Sequence, residues 1–187
     1  DDVRSIHWKL SSKLDNLIVK ESGNSSHYDT VVLYDAGKQA GDTECSEREI
    51  AGTKDFAVTF SQKMLEINRP HYVSMLANDS LLFTEVESMS DLMRMVYRNM
   101  AVELPEQTGG SIARFLLQHY EKQFSKIIYI VNGAFPDSLY QLAQAMNITA
   151  ISISDAQDEI RMMERANSRM IEIPAKNLHE KEHFIQI

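Results

Sequence analysis

Short, continuous apolar runs alternate along this chain with longer segments of helical period, and no other feature constrains its fold as tightly. A strand covered on both faces by helices has no solvent side, so it reads as an unbroken apolar run rather than as an alternation. Such runs occupy Leu17 to Lys20, Thr30 to Tyr34, Tyr72 to Leu76, Leu81 to Glu85, Lys126 to Val131, Thr149 to Ile153 and Met170 to Ile173. The first helical segment opens on Ser46-x-x-Glu49, a capping-box pattern, sets Ile50, Thr53, Ala57, Phe60, Met64 and Ile67 on one face, and stops before Pro70. Further helices are predicted over Ser90 to Met100, Ser111 to Phe124 and Ser138 to Met146, with a weaker one over Ala156 to Ala166. The pattern predicts an α/β fold: a mostly parallel, doubly wound sheet with helices on both faces. Only Ala77-Asn78-Asp79-Ser80 separates two of the strands, too few residues for a parallel crossover, so one antiparallel edge hairpin is expected.

At 187 residues the chain has room for one full core, and a second would be cramped. Its 19 Lys and Arg against 27 Asp and Glu give a formal charge of -8, which argues against nucleic acid and against direct contact with an anionic membrane. The cations of the opening segment, Arg4, Lys9, Lys13 and Lys20, are matched by Asp1, Asp2, Asp15 and Glu21. A single cysteine, Cys45, cannot form an internal disulfide, which points to a reducing, cytoplasmic setting. No apolar stretch approaches the roughly 20 residues of a membrane-spanning helix.

The opening residues Arg4, Ile6, His7, Trp8, Lys9, Ser11 and Lys13 form an unusual order, with Ser12 between the last two. This stretch resembles the signature of an uncharacterised bacterial family, domain of unknown function fifty-eight, whose hallmark is an Arg-x-Ile-His-Trp-Lys-x-Ser-Ala-Arg-like run followed by an apolar strand. Ser12 stands where Ala is usual and Lys13 where Arg is. The resemblance implies a von Willebrand factor type A-like, Rossmann-like fold, with residues 1–28 as signature segment and first strand and 29–187 as the domain proper. It implies a non-catalytic interaction module, an adaptor for a MoxR-type AAA ATPase or a component of a cell-envelope complex. A chain that opens inside such a motif is read as a fragment of a longer parent, and relatives often carry membrane-spanning segments upstream.

Ligands of open α/β sheets collect beyond the carboxyl ends of the strands, where strand order reverses, and Asp35 falls there. In von Willebrand type A domains this loop carries Asp-x-Ser-x-Ser, and later loops add a Thr and an Asp, together forming a metal-ion-dependent adhesion site. The matching positions are Asp35, Gly37, Gln39, Ser111 and Asn132. Gly37 has no side-chain oxygen, Gln39 offers a neutral carbonyl, and Asn132 lacks the carboxylate. Magnesium and manganese want several oxygens with one or two carboxylates among them, and Lys38 places a positive charge in the same turn. The expectation is a degenerate, metal-free site at which Asp35, Lys38, Gln39, Ser111 and Asn132 contact a partner through hydrogen bonds. The alternative keeps magnesium or manganese on Asp35 and Ser111.

Four other patterns bear on function. His179-Glu180-Lys181-Glu182-His183 fits the His-Glu-x-x-His letters of a zinc hydrolase, but a third ligand and a cleft are not evident so close to the final residue, and a solvated surface helix explains the same letters. His7 beside Trp8 reads as packing of the opening segment, since no nucleophile or acid nearby completes a catalytic set. Met89, Met93, Met95 and Met100 read as core-filling residues, with an adaptable binding face as the alternative. Val131-Asn132-Gly133-Ala134 lacks the glycine spacing and Lys of a phosphate loop, so no nucleotide site is expected.

Overall fold

The computed structural model describes residues 28–37, 47–77, 80–102, 108–156, 158–165, 167–176 and 178. Within them the strands are β1 (Thr30–Asp35), β2 (His71–Ala77), β3 (Ser80–Val86), β4 (Lys126–Asn132), β5 (Ile148–Ser154), β6 (Arg161–Arg165) and β7 (Ser168–Pro174). The helices are α1 (Glu47–Glu66), α2 (Met89–Met100), α3 (Gly110–Leu117) and α4 (Asp137–Ala145). The strands form one sheet in the order β3-β2-β1-β4-β5-β7-β6. Every internal pairing is parallel, while β3 and β6 pair antiparallel at the two edges.

Alternation along each strand divides the core into two layers. Val32 and Tyr34 of β1 pack with Ile128 and Ile130 against Phe56, Phe60 and Met64 of α1 and Leu92 and Met95 of α2. Val31 and Leu33 point the other way, joining Tyr129 and Val131 against Ile112 and Phe115 of α3 and Leu139 and Leu142 of α4. Each large apolar side chain removed from water in this way stabilises the fold by about 1.5–3 kcal/mol before its ordering cost. The doubly wound architecture and the β2–β3 hairpin expected from the sequence are both present. The expected strand at Leu17 to Lys20 lies outside the described residues.

Two expected helices are corrected. Residues in the Ala156 to Ala166 span form β6, which pairs in register from Arg161↔Glu172 to Arg165↔Ser168 and adds a second edge hairpin. Its residues favour helix by propensity, but the ladder to β7 overrides that weak preference. The segment Ser111 to Phe124 is not one helix: α3 stops at Leu117, and His119 adopts a left-handed φ of 56° before a single 3-10 turn at Tyr120–Lys122. That turn is held by the Tyr120 ring, which packs edge-on to Phe83 with centroids 4.8 Å apart. The start of α1 is tied to the sheet. Glu49 is buried and its Oε1 accepts from the Asp155 amide at 2.6 Å, tying α1 to the end of β5, while Ser46 lies outside the described residues.

Candidate functional site

The chain leaves β1 toward β2 and β3 on one side, then returns to β4 on the other, so strand order reverses between β1 and β4. Asp35 ends β1 in register with Val131, and Asn132 ends β4 one residue further on. Helix α3 brings its first turn to the same crevice. Asp35, Ser111 and Asn132, singled out from sequence, are therefore brought together at the carboxyl edge of the sheet, and all three are buried. Lys38 and Gln39 lie outside the described residues, as do the signature residues Arg4, Ile6, His7, Trp8 and Lys9 and the His179 to His183 motif.

The Asp35 carboxylate, only 1% exposed, is held on both oxygens by donors of the chain itself. Its Oδ1 accepts from the Ser111 hydroxyl and, at 3.2 Å, from the Ser111 amide. Its Oδ2 accepts from the Tyr129 hydroxyl at 2.7 Å. Burial raises the Asp35 pKa, while the hydrogen bonds from Ser111 and Tyr129 and from the Ser111 and Gly109 amides pull it back. The Tyr129 phenol is pushed well above its ordinary pKa by burial and by the neighbouring carboxylate, so it stays a donor. Gly109 makes the approach feasible: at φ 86° it occupies the left-handed region that a residue with a Cβ disfavours, and it turns the first amides of α3 toward Asp35.

The remaining polar groups are engaged just as fully. Ser111 Oγ accepts from the Leu76 amide at 3.2 Å, so one hydroxyl links β2, β1 and α3. Asn132 forms a two-way clasp with Gly37, its Oδ1 accepting from the Gly37 amide at 2.9 Å and its Nδ2 donating to the Gly37 carbonyl at 2.8 Å. After the clasp the chain turns through Gly133 at φ 75°, whose carbonyl accepts from the Ser152 hydroxyl.

A divalent cation does not fit the described part of this crevice. Oδ2 of Asp35, the oxygen turned away from Ser111, is occupied by Tyr129, and the position of the second carboxylate is an amide already used on Gly37. Among the described residues no three His, Cys, Asp or Glu stand together as ligands. Chemically, the described part of the set is a buried carboxylate held by two hydroxyls and the amino end of a helix. Sequence reasoning missed Tyr129. Its signal was present, since a phenol in the middle of Lys-Ile-Ile-Tyr-Ile-Val-Asn must find a partner for its buried hydroxyl.

A three-layer domain with an Asp at the reversal point of a mostly parallel sheet has the architecture of a von Willebrand factor type A domain. A solved structure described as "Crystal Structure of the SpRpn10 VWA domain" superposes with a TM-score of 0.51 over 82% of this chain and 94% of that one, at 13% identity, a likeness of fold alone. Residues 1–164 match the family described as "Protein of unknown function DUF58", and the chain belongs to that family. No curated protein matches it.

Proposed function

We propose that this domain is a non-catalytic protein-interaction module whose strand-end loops dock a partner without metal, and that the partner is a MoxR-type AAA ATPase or a component of an envelope complex. The observation that carries the reading is the closed hydrogen-bond set around Asp35: both oxygens of its carboxylate are committed to Ser111 and Tyr129. A general base needs a reachable lone pair, and a metal ligand needs an uncommitted one. A carboxylate used in this way fixes the spacing of β1, β4 and α3. The ATPase enters from family resemblance, and the cytoplasmic setting goes with it. Among the described residues no helix is long and apolar enough to cross a membrane.

The test is recovery of the partner. The full chain, immobilised, is exposed to the MoxR-type ATPase of the same cell with ATP, with ADP or without nucleotide, with and without a chelator. Retention in at least one nucleotide state, unaffected by chelation, supports the reading. Absence of retention in both states would remove the ATPase from it, and retention that needs a divalent cation even without nucleotide would remove the metal-free mode.

A further inference from the structure

Helix α2 carries Met89, Met93, Tyr97 and Met100 at 49%, 47%, 67% and 75% exposure. At about 100° per residue these four positions fall within about 80° of the helix circumference, a continuous stripe over some three turns. The core is served by other residues of the same helix, Leu92 and Met95. On its inner side the stripe runs into a groove where Val96 and Met100 of α2 face Lys54 and Ala57 of α1, with Tyr34 in the lining. The polar tip of Tyr34 is already satisfied, accepting from Asn99 Nδ2 at 2.6 Å and donating to Met75 Sδ at 3.2 Å, so the groove presents mainly apolar surface.

Among the described residues, the charges along this surface include three cations. Lys54 stands in the groove wall, and Arg94 and Arg98 lie one turn apart on the exposed flank of α2. The carboxylate of the same helix, Asp91, is held by Arg94 at 3.3 Å and by the Ser88 hydroxyl at 2.6 Å. In a chain of net charge -8 such a rim runs against the overall field. We propose that the α2 stripe and the α1/α2 groove dock an amphipathic helix of a partner protein, apolar on one face and acidic along its flanks. Apolar anchors of such a helix recur at one-turn spacing and match the stripe, and flexible thioethers repack around them. An anionic membrane is disfavoured by the net charge of the domain. This surface is separate from the Asp35–Tyr129 pair, because Tyr129 belongs to the core layer on the opposite face of the sheet.

The probe is a labelled peptide of about 18 residues, some five helical turns, with Leu and Met on one face and Glu elsewhere. A control peptide has every Glu replaced by Lys. Binding of each to the full chain is followed by fluorescence anisotropy. Saturable micromolar binding of the acidic peptide is expected, about tenfold or more tighter than the control. Met93→Glu should weaken it about tenfold or more without moving the unfolding midpoint, and Arg94→Glu with Arg98→Glu should reverse the preference between the peptides. Equal binding of both peptides, or binding that persists in Met93→Glu, overturns the proposal. So does tighter capture by anionic vesicles, or a dimer that Met93→Glu dissolves. A midpoint drop of more than about 3 °C in Met93→Glu would mean that the chain itself covers the stripe, and would also overturn it. None of these readouts involves the ATPase or the Asp35 crevice.

Discussion

The Tyr129 hydroxyl donates to Asp35 Oδ2 at 2.7 Å across the β1–β4 pair, and it takes up the oxygen that a cation at this crevice would need. Removing that donor leaves the ring in place but strands half of a buried carboxylate. Tyr129→Phe should therefore lower the unfolding free energy by about 1–3 kcal/mol, read from urea denaturation at constant slope. A loss within about 0.5 kcal/mol would show that Asp35 draws little support from the phenol.

The pH dependence of Asp35 has a definite sign. Burial raises its pKa, so the folded state holds the proton more tightly than the unfolded chain, whose Asp titrates near 3.9. The proton-linked contribution is then fully present below about 3.9 and is lost as pH rises through the higher folded value. Asp35→Asn retains an acceptor for Ser111 and an amide that can donate to the Tyr129 oxygen, and it does not titrate. Stability of wild type minus that of Asp35→Asn should fall as pH rises from about 4, by at most about 1.4 kcal/mol per unit, and then level. A difference that rises with pH would contradict the raised pKa.

How far the sequence discloses this arrangement depends on whether local pattern or tertiary contact decides each piece. Apolar runs such as Ile127 to Val131 identify a buried strand because solvent is absent from both faces, and the four-residue gap at Ala77 to Ser80 forces a hairpin on geometric grounds. Arg161–Arg165 defeats the same reasoning, since its letters suit a helix and only the register with β7 makes it a strand. At the crevice, Asp35, Ser111 and Asn132 were legible from their places in the element order. What they do was not. The clasp from Asn132 to Gly37 and the bond from Tyr129 to Asp35 join residues more than ninety positions apart, which no local pattern encodes.

His71 gives a second pH effect of opposite sense. It is fully buried, with Nδ1 3.0 Å from the Arg69 carbonyl and Nε2 3.0 Å from Ser61 Oγ. The carbonyl can only accept, so Nδ1 carries the proton of the neutral ring and Nε2 accepts from the hydroxyl. Burial depresses the His71 pKa below its ordinary 6.5. A depressed value contributes stability that is present above about 6.5 and is lost as pH falls through the folded value. Unfolding midpoints measured downward from neutral pH should decline faster in wild type than in His71→Gln, and equal slopes would assign the acid sensitivity elsewhere.

Gly109 tests whether the helix start holds the crevice together. A Cβ there would sit in the left-handed region, at a cost of about 1–2 kcal/mol, and 3.0 Å from Pro136 Cβ. Gly109→Ala should thus destabilise by about 2 kcal/mol or more, and it should also loosen the Ser111 amide from Asp35. Hydrogen exchange at the Ser111 amide, measured against that of Ile128 in the central strand, separates the two effects. Faster exchange at Ser111 alone marks a local opening, whereas equal acceleration at both marks only global destabilisation.

Asn132 decides whether the crevice has the latent capacity to bind metal. Asn132→Asp restores the carboxylate of an adhesion-type site, but it also removes the donor to the Gly37 carbonyl and sets a negative charge against that carbonyl in a buried position. If the clasp is the role of this residue, the variant should lose about 2–3 kcal/mol, and magnesium or manganese should restore none of it. If the loop can open to admit a cation, saturating metal at about a hundred times its dissociation constant would return about 2.7 kcal/mol, enough to erase the loss. Thermal unfolding of wild type and variant, stripped with chelator and then titrated with each metal, distinguishes these outcomes. We expect both proteins to ignore the metals, because Tyr129 already occupies Asp35 Oδ2 and a single new carboxylate does not displace it.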